Sequence, residues 1–207
     1  MEIYRPSTVA RWRRLCLPLV ASSVLWAAAC TSAGNAETSE APAGRSSTGT
    51  PSPSVNGGFV GVVYVNHNAG YTFHYSEGWV VVEGKQAGSV VAYAPPGDPR
   101  RSPANVSISL TPVPEGTDLQ SYYRQNIGFL RFIPGFRQGA THQESFAGFP
   151  AFSIAYSISP KGTTFRALQI TALVDTTAYT AIYSSAPNTF KRYLVGGGLV
   201  VRSFQLT

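Results

Sequence analysis

Gly70-Tyr71-Thr72-Phe73-His74-Tyr75-Ser76-Glu77-Gly78-Trp79 is the stretch whose reading decides the fold. Tyr71, Phe73 and Tyr75 alternate with Thr72 and His74, the period-two pattern of a strand with one buried face. Ser76-Glu77-Gly78 turns the chain, and Trp79 opens the β-branched run Val80-Val81-Val82, so the stretch reads as a hairpin. Aromatics this dense either anchor a core or line a ligand slot. Their alternating placement on a strand favours the core.

Upstream of the hairpin the chain has another character. Arg5, Arg11, Arg13 and Arg14 precede a mostly apolar run from Leu15 to Ala29, which is too short to span a bilayer and suits a signal peptide. The run closes on Ala27-Ala28-Ala29-Cys30, small residues directly before a cysteine. This resembles a bacterial lipobox, with Ala27 where a Leu is usual. The resemblance implies acylation of Cys30, and ordinary cleavage after the Ala run is the alternative. The 2 cysteines of the chain are Cys16 and Cys30, so removal of the signal leaves no partner for a disulfide. Thr31 to Gly58 is rich in Ser, Thr, Ala, Gly and Pro and lacks apolar periodicity, as expected of a tether. The expected organisation is therefore a signal peptide over 1–29, a lipidated cysteine with its tether over 30–58, and a globular domain over 59–207.

The net charge of +6 owes much to the signal, whose removal leaves 12 basic against 9 acidic residues. Basic residues are dispersed along the domain, with Arg100-Arg101 and Lys191-Arg192 the adjacent pairs, so nucleic acid is not an expected partner. Strands are expected at Phe59–Val65, Tyr71–Tyr75, Trp79–Glu83, Gly88–Ala94 and Asn105–Val113. After a helix from Thr117-Asp118-Leu119-Gln120 to Phe132, further strands are expected at Thr141–Phe146, Ala151–Ser159, Thr163–Val174 and Ala178–Ser185. Their short turns imply an antiparallel meander. Pro187 can start a last helix, which Gly196-Gly197-Gly198 should break, leaving Leu199–Leu206 as a final strand.

This order of elements resembles the PsbP-like family, which includes bacterial lipoproteins of the DcrB and LpqN types. The resemblance rests on Gly70–Trp79, Asn105-Val106-Ser107-Ile108, Phe146-Ala147-Gly148-Phe149-Pro150-Ala151, Tyr179–Pro187 and Arg202-Ser203-Phe204. It implies an α+β fold, an antiparallel sheet of about six strands sandwiched between helices. It also implies one last helix continuing through the three glycines, against their propensity, and the helical spacing of Phe190, Leu194, Gly197 and Val201 favours that helix, weakened or bent at the glycines. Metal sites known in the family have no matching His or carboxylate cluster here, since His67, His74 and His142 stand apart.

For function, the sequence implies a non-enzymatic binding or scaffolding module on the outer face of a bacterial membrane, held to the bilayer by acylated Cys30. Its partner would be an envelope protein or ligand. A carrier of a lipid or other small apolar ligand is the alternative, with a photosystem-associated subunit behind it. No Gly-x-Ser-x-Gly, His-Glu-x-x-His or phosphate-loop motif occurs, so neither catalysis nor a cofactor is expected. Arg100 and Arg101, on the Pro95–Pro103 loop, are the candidate partner-binding residues.

Overall fold

Period-two alternation becomes sheet throughout most of the domain in the computed structural model, which describes residues 60–98 and 101–207. Cys30, Arg100 and the expected boundaries at 29/30 and 58/59 lie outside the described residues. In chain order the elements are β1 (Val62–Asn66), β2 (Tyr71–Tyr75), β3 (Val80–Glu83), β4 (Val90–Tyr93), β5 (Ala104–Pro112), α1 (Leu119–Leu130) and β6 (Arg137–Phe146). They continue with β7 (Phe149–Ile158), a 3₁₀ turn at Pro160–Gly162, β8 (Phe165–Val174), β9 (Thr177–Ser185), α2 (Phe190–Arg202) and β10 (Gln205–Leu206).

A seven-stranded antiparallel sheet runs β3-β4-β5-β9-β8-β7-β6, and a three-stranded sheet runs β1-β2-β10. The main sheet thus exceeds the expected six strands by one. The meander over β6, β7, β8 and β9 is present, joined by short turns. The expected hairpin at Tyr71–Trp79 is not. β2 pairs with β1 and β10, while β3 pairs with β4, so Ser76-Glu77-Gly78 carries the chain from the small sheet to the large one. Periodicity reveals each strand but not its partner, which depends on contacts distant in sequence.

Successive residues of β9 show how one sheet serves two cores. Ala181 and Tyr183 join Val106, Ile108, Ile170 and Ala172 beneath α2 and the small sheet, where Tyr71, Phe73, Trp79, Phe190, Val200 and Phe204 are also buried. Ile182 points the other way, into a cluster with Ile154, Tyr156, Ile158 and Ala167 capped by Ile127 and Leu130 of α1. A satellite of Val113, Tyr122 and Ala178 lies near the start of α1. The result is the expected α+β sandwich, with a helix on each sheet face. Among the described residues every strand is paired, and the three clusters fill both faces of the main sheet.

Asp118 caps α1, its carboxylate accepting the Ser121 N–H at 2.9 Å, so the cap lies one residue beyond the expected Thr117. α2 decides between the two readings of the last helix. It is helical from Phe190 to Arg202, straight through Gly196-Gly197-Gly198, and of the expected strand Leu199–Leu206 only Gln205–Leu206 is extended. The reason is packing. A β-carbon on Gly196 would lie 2.9 Å from Cζ2 of Trp79, and one on Gly197 would collide with Cδ2 of Tyr183. Each glycine costs a helix about 1 kcal/mol relative to alanine. In return the helix backbone lies directly on two buried rings.

Candidate functional site

α2 packs chiefly on β9, β5 and β2, and beyond its first residue, Phe190, the end of β6, β7 and β8 around Ala155 and Arg166 is open on the same sheet face. Register places the exposed residues there. Arg137 pairs with Ser157 and Ser157 with Arg166, while Ala155 pairs with Leu168. Paired residues share a face, so these side chains project on the α2 side. A bulge between Gln138 and Thr141 brings Gly139 against Ala155, where a β-carbon would lie 3.0 Å from the Ala155 carbonyl oxygen.

The small residues Gly139, Ala155 and Ser157 form the floor of a recess of about 250 Å³, rimmed by Arg137 and Arg166 and walled by Phe190. The Arg166 guanidinium sits 4.6 Å from the centre of the Phe190 ring, a cation–π contact that orients it while leaving its N–H groups available. Among the described residues neither arginine is engaged by a carboxylate. Two guanidiniums beside a shallow floor are suited to a carboxylate, phosphate or sulfate group, which each can hold with paired N–H donors. The recess is open and below the roughly 300 Å³ usual for enclosing a small apolar ligand.

A second polar cluster lies beneath α1. The Gln169 side-chain amide donates to Asn126 Oδ1 at 2.9 Å, and the Tyr156 hydroxyl donates to Gln169 Oε1 at 3.4 Å. The Thr171 and Thr180 hydroxyls are 3.0 Å apart. Burial pushes the Tyr156 and Tyr122 phenols above their ordinary range. The adjoining cavity of about 10 Å³ holds one water at most. Mutual satisfaction makes this a structural network rather than a binding site.

Of the residues singled out in the sequence, Arg101 is exposed on the β4–β5 loop, its backbone N–H donating to the Asp98 carbonyl at 2.9 Å. Its side chain belongs to no recess described here. Arg137 and Arg166 were not foreseen. Arg137 falls in a segment without apolar alternation, and Arg166 shows itself only as a charged residue in series with Leu168, Ile170 and Ala172. His142 is exposed, as are the acids Glu144 and Asp175. Among the described residues no three metal-ligating side chains cluster, and no helix is long and apolar enough to cross a membrane.

No protein-family model and no curated protein matches the chain. Solved structures do. The solution structure of PsbP from the cyanobacterium Synechocystis sp. PCC 6803 matches with a TM-score of 0.55 at 17% identity, over 74% of this chain and 98% of that one. LpqN of Mycobacterium tuberculosis, described as involved in cell envelope biogenesis, matches with a TM-score of 0.55 at 15% identity, over 72% of this chain and 87% of that one. The shared architecture is the PsbP-like fold.

Proposed function

We propose that this chain, whose domain has the PsbP-like fold, is a non-enzymatic binding module of the bacterial cell envelope, anchored outside the membrane through acylated Cys30. Its partner is an envelope protein or polymer that presents an anionic group to the recess between Arg137 and Arg166. The observation that carries this reading is the open end of β6–β8 beside α2, floored by small residues and edged by two guanidiniums that no carboxylate among the described residues engages. The signal, the Cys30 site and the Ser/Thr/Pro-rich tether support the location, and the described role of LpqN in envelope biogenesis is in keeping with it. An apolar-ligand carrier has less support, because the recess is open and basic at its rim.

Crosslinking in native membranes tests the module, comparing the native chain with Arg137→Gln/Arg166→Gln. The expected result is a reproducible envelope partner whose capture falls at least tenfold in the double variant while the thermal midpoint stays unchanged. Full capture by the double variant would dismiss the recess, and the lack of any recurring partner would dismiss the module. Labelled palmitate tests the anchor: it should enter the native chain and not Cys30→Ala.

A further inference from the structure

The register of the main sheet sorts the charges to opposite ends of the domain. At one end lie the β4–β5 loop, the end of α1, the β7–β8 connection and the start of α2, because Ala104 pairs with Ser185, Ser185 with Arg166, and Arg166 with Ser157. The Ser159 N–H donates to the Pro134 carbonyl at 2.7 Å, tying the segment after α1 to this end. Arg101, Arg131, Arg137, Lys161, Arg166 and Lys191 are all exposed there, against Glu77 and Asp98. Glu83, Glu115, Asp118, Glu144 and Asp175 lie toward the other end, accompanied by Lys85 and Arg202.

The basic end has two further properties. Phe132, beside Arg131, is 86% exposed, and Phe129 one turn earlier is 42% exposed. The chain also enters the domain here: Val62 pairs with Tyr75, which leads through Ser76-Gly78 to Val80, whose partner is Tyr93 at the same end. The upstream segment of the sequence therefore joins the domain on its basic, aromatic-tipped side.

We infer that this end is a docking surface for an anionic lipid bilayer, oriented toward the membrane by the segment that leads to Cys30. Lysine and arginine gain about 1 kcal/mol each beside an anionic leaflet. An exposed phenylalanine among them can enter the headgroup region, while the acidic end is repelled from the same surface. Taken as the tether its composition suggests, the stretch of roughly 28 residues after Cys30 would span roughly 30 Å on average, which permits contact without enforcing it. The orientation rests on the proposed anchor, but the intrinsic affinity of the surface does not.

The test uses the chain from Thr31 onward, which keeps every described element and carries no acyl group. Cosedimentation is measured with vesicles of phosphatidylglycerol and phosphatidylcholine, and with phosphatidylcholine alone. The expected result is at least tenfold preference for the anionic vesicles, diminished by salt. Arg131→Gln/Lys161→Gln should weaken binding about twenty-five-fold, roughly fivefold per charge. Phe132→Ser should weaken it further. Glu115→Gln/Asp175→Asn at the opposite end should retain full binding, and all variants should keep the native thermal midpoint. Equal partitioning onto both vesicles, or equal loss from changes at either end, would overturn the inference. So would complete competition by inorganic phosphate at constant ionic strength, which would assign the binding to the Arg137–Arg166 recess. Loss of partner capture in Arg137→Gln/Arg166→Gln, with vesicle binding weakened no more than in Arg131→Gln/Lys161→Gln, would instead separate the two sites.

Discussion

Gly197 lies flat against the ring of Tyr183, leaving no room for a β-carbon beside Cδ2. The ring cannot retreat, since it is buried and its hydroxyl donates to the Phe190 carbonyl at 2.6 Å. Gly197→Ala is expected to destabilise the domain by about 2 kcal/mol, overpacking outweighing the gain in helix propensity. Gly128→Ala provides the contrast. Gly128 sits within α1, where an added β-carbon would have no neighbour within 4 Å. That change should stabilise by about 0.5–1 kcal/mol. Urea unfolding of both variants measures the pair, and a stabilised Gly197→Ala would refute the packing account.

Alkaline pH should unfold the protein through its buried phenols. Burial, aided by nearby Tyr193 and opposed by a hydrogen bond to Ser185, pushes Tyr183 up to about 12 from an ordinary value of 10.0. Tyr71, Tyr122 and Tyr156 are also raised, chiefly by burial. Below pH 10 the phenols are neutral in both states and their contribution to stability is fully present. As pH rises from about 10 toward 12, the unfolded phenols ionise first, so stability falls. Absorbance titration should show a late-ionising tyrosine class, with unfolding free energy declining over the same interval. A single titration near 10 without loss of stability would contradict this.

The β6–β7 turn offers a stabilising change. Ala147 and Gly148 have φ values of 53° and 86° between the paired residues Phe146 and Phe149. This is the mirror-image two-residue turn that favours Asn-Gly. Ala147→Asn should add about 1 kcal/mol by relieving the left-handed conformation at a residue that disfavours it. A lower thermal midpoint would show that the Ala147 methyl contact with the core matters more.

Much of this architecture could be read from local pattern. The strands β5, β7, β8 and β9 and the helix α1 follow alternation or helical spacing that each carries in its own residues. The continuity of α2 could not be read that way, because glycine propensity is local while the rings of Trp79 and Tyr183 come from elsewhere in the chain. The first residues of β6 were missed for a related reason: Arg137-Gln138-Gly139-Ala140 has no buried face to alternate. The recess was hidden for the same reason. Arg137 and Arg166 become neighbours only through the shared strand β7, a relationship that exists in register and not in spacing. The resemblance of the whole order of elements revealed the helix that propensity denied, but it offered no equivalent for the recess.

Under the proposed anchoring, the two outer strands of the main sheet bear on how many copies can share a membrane. β6 is exposed from Arg137 through Ser145, but it is polar, carries charges and contains a register break. β3 has exposed Val80 and Val82, yet is only four residues long. Neither gives a neighbouring copy a long, even, apolar rail along which to add a strand. Proteins confined to a surface meet one another far more often than proteins in free solution. For such a protein, these unaccommodating margins favour dispersed individuals over a spreading polymer.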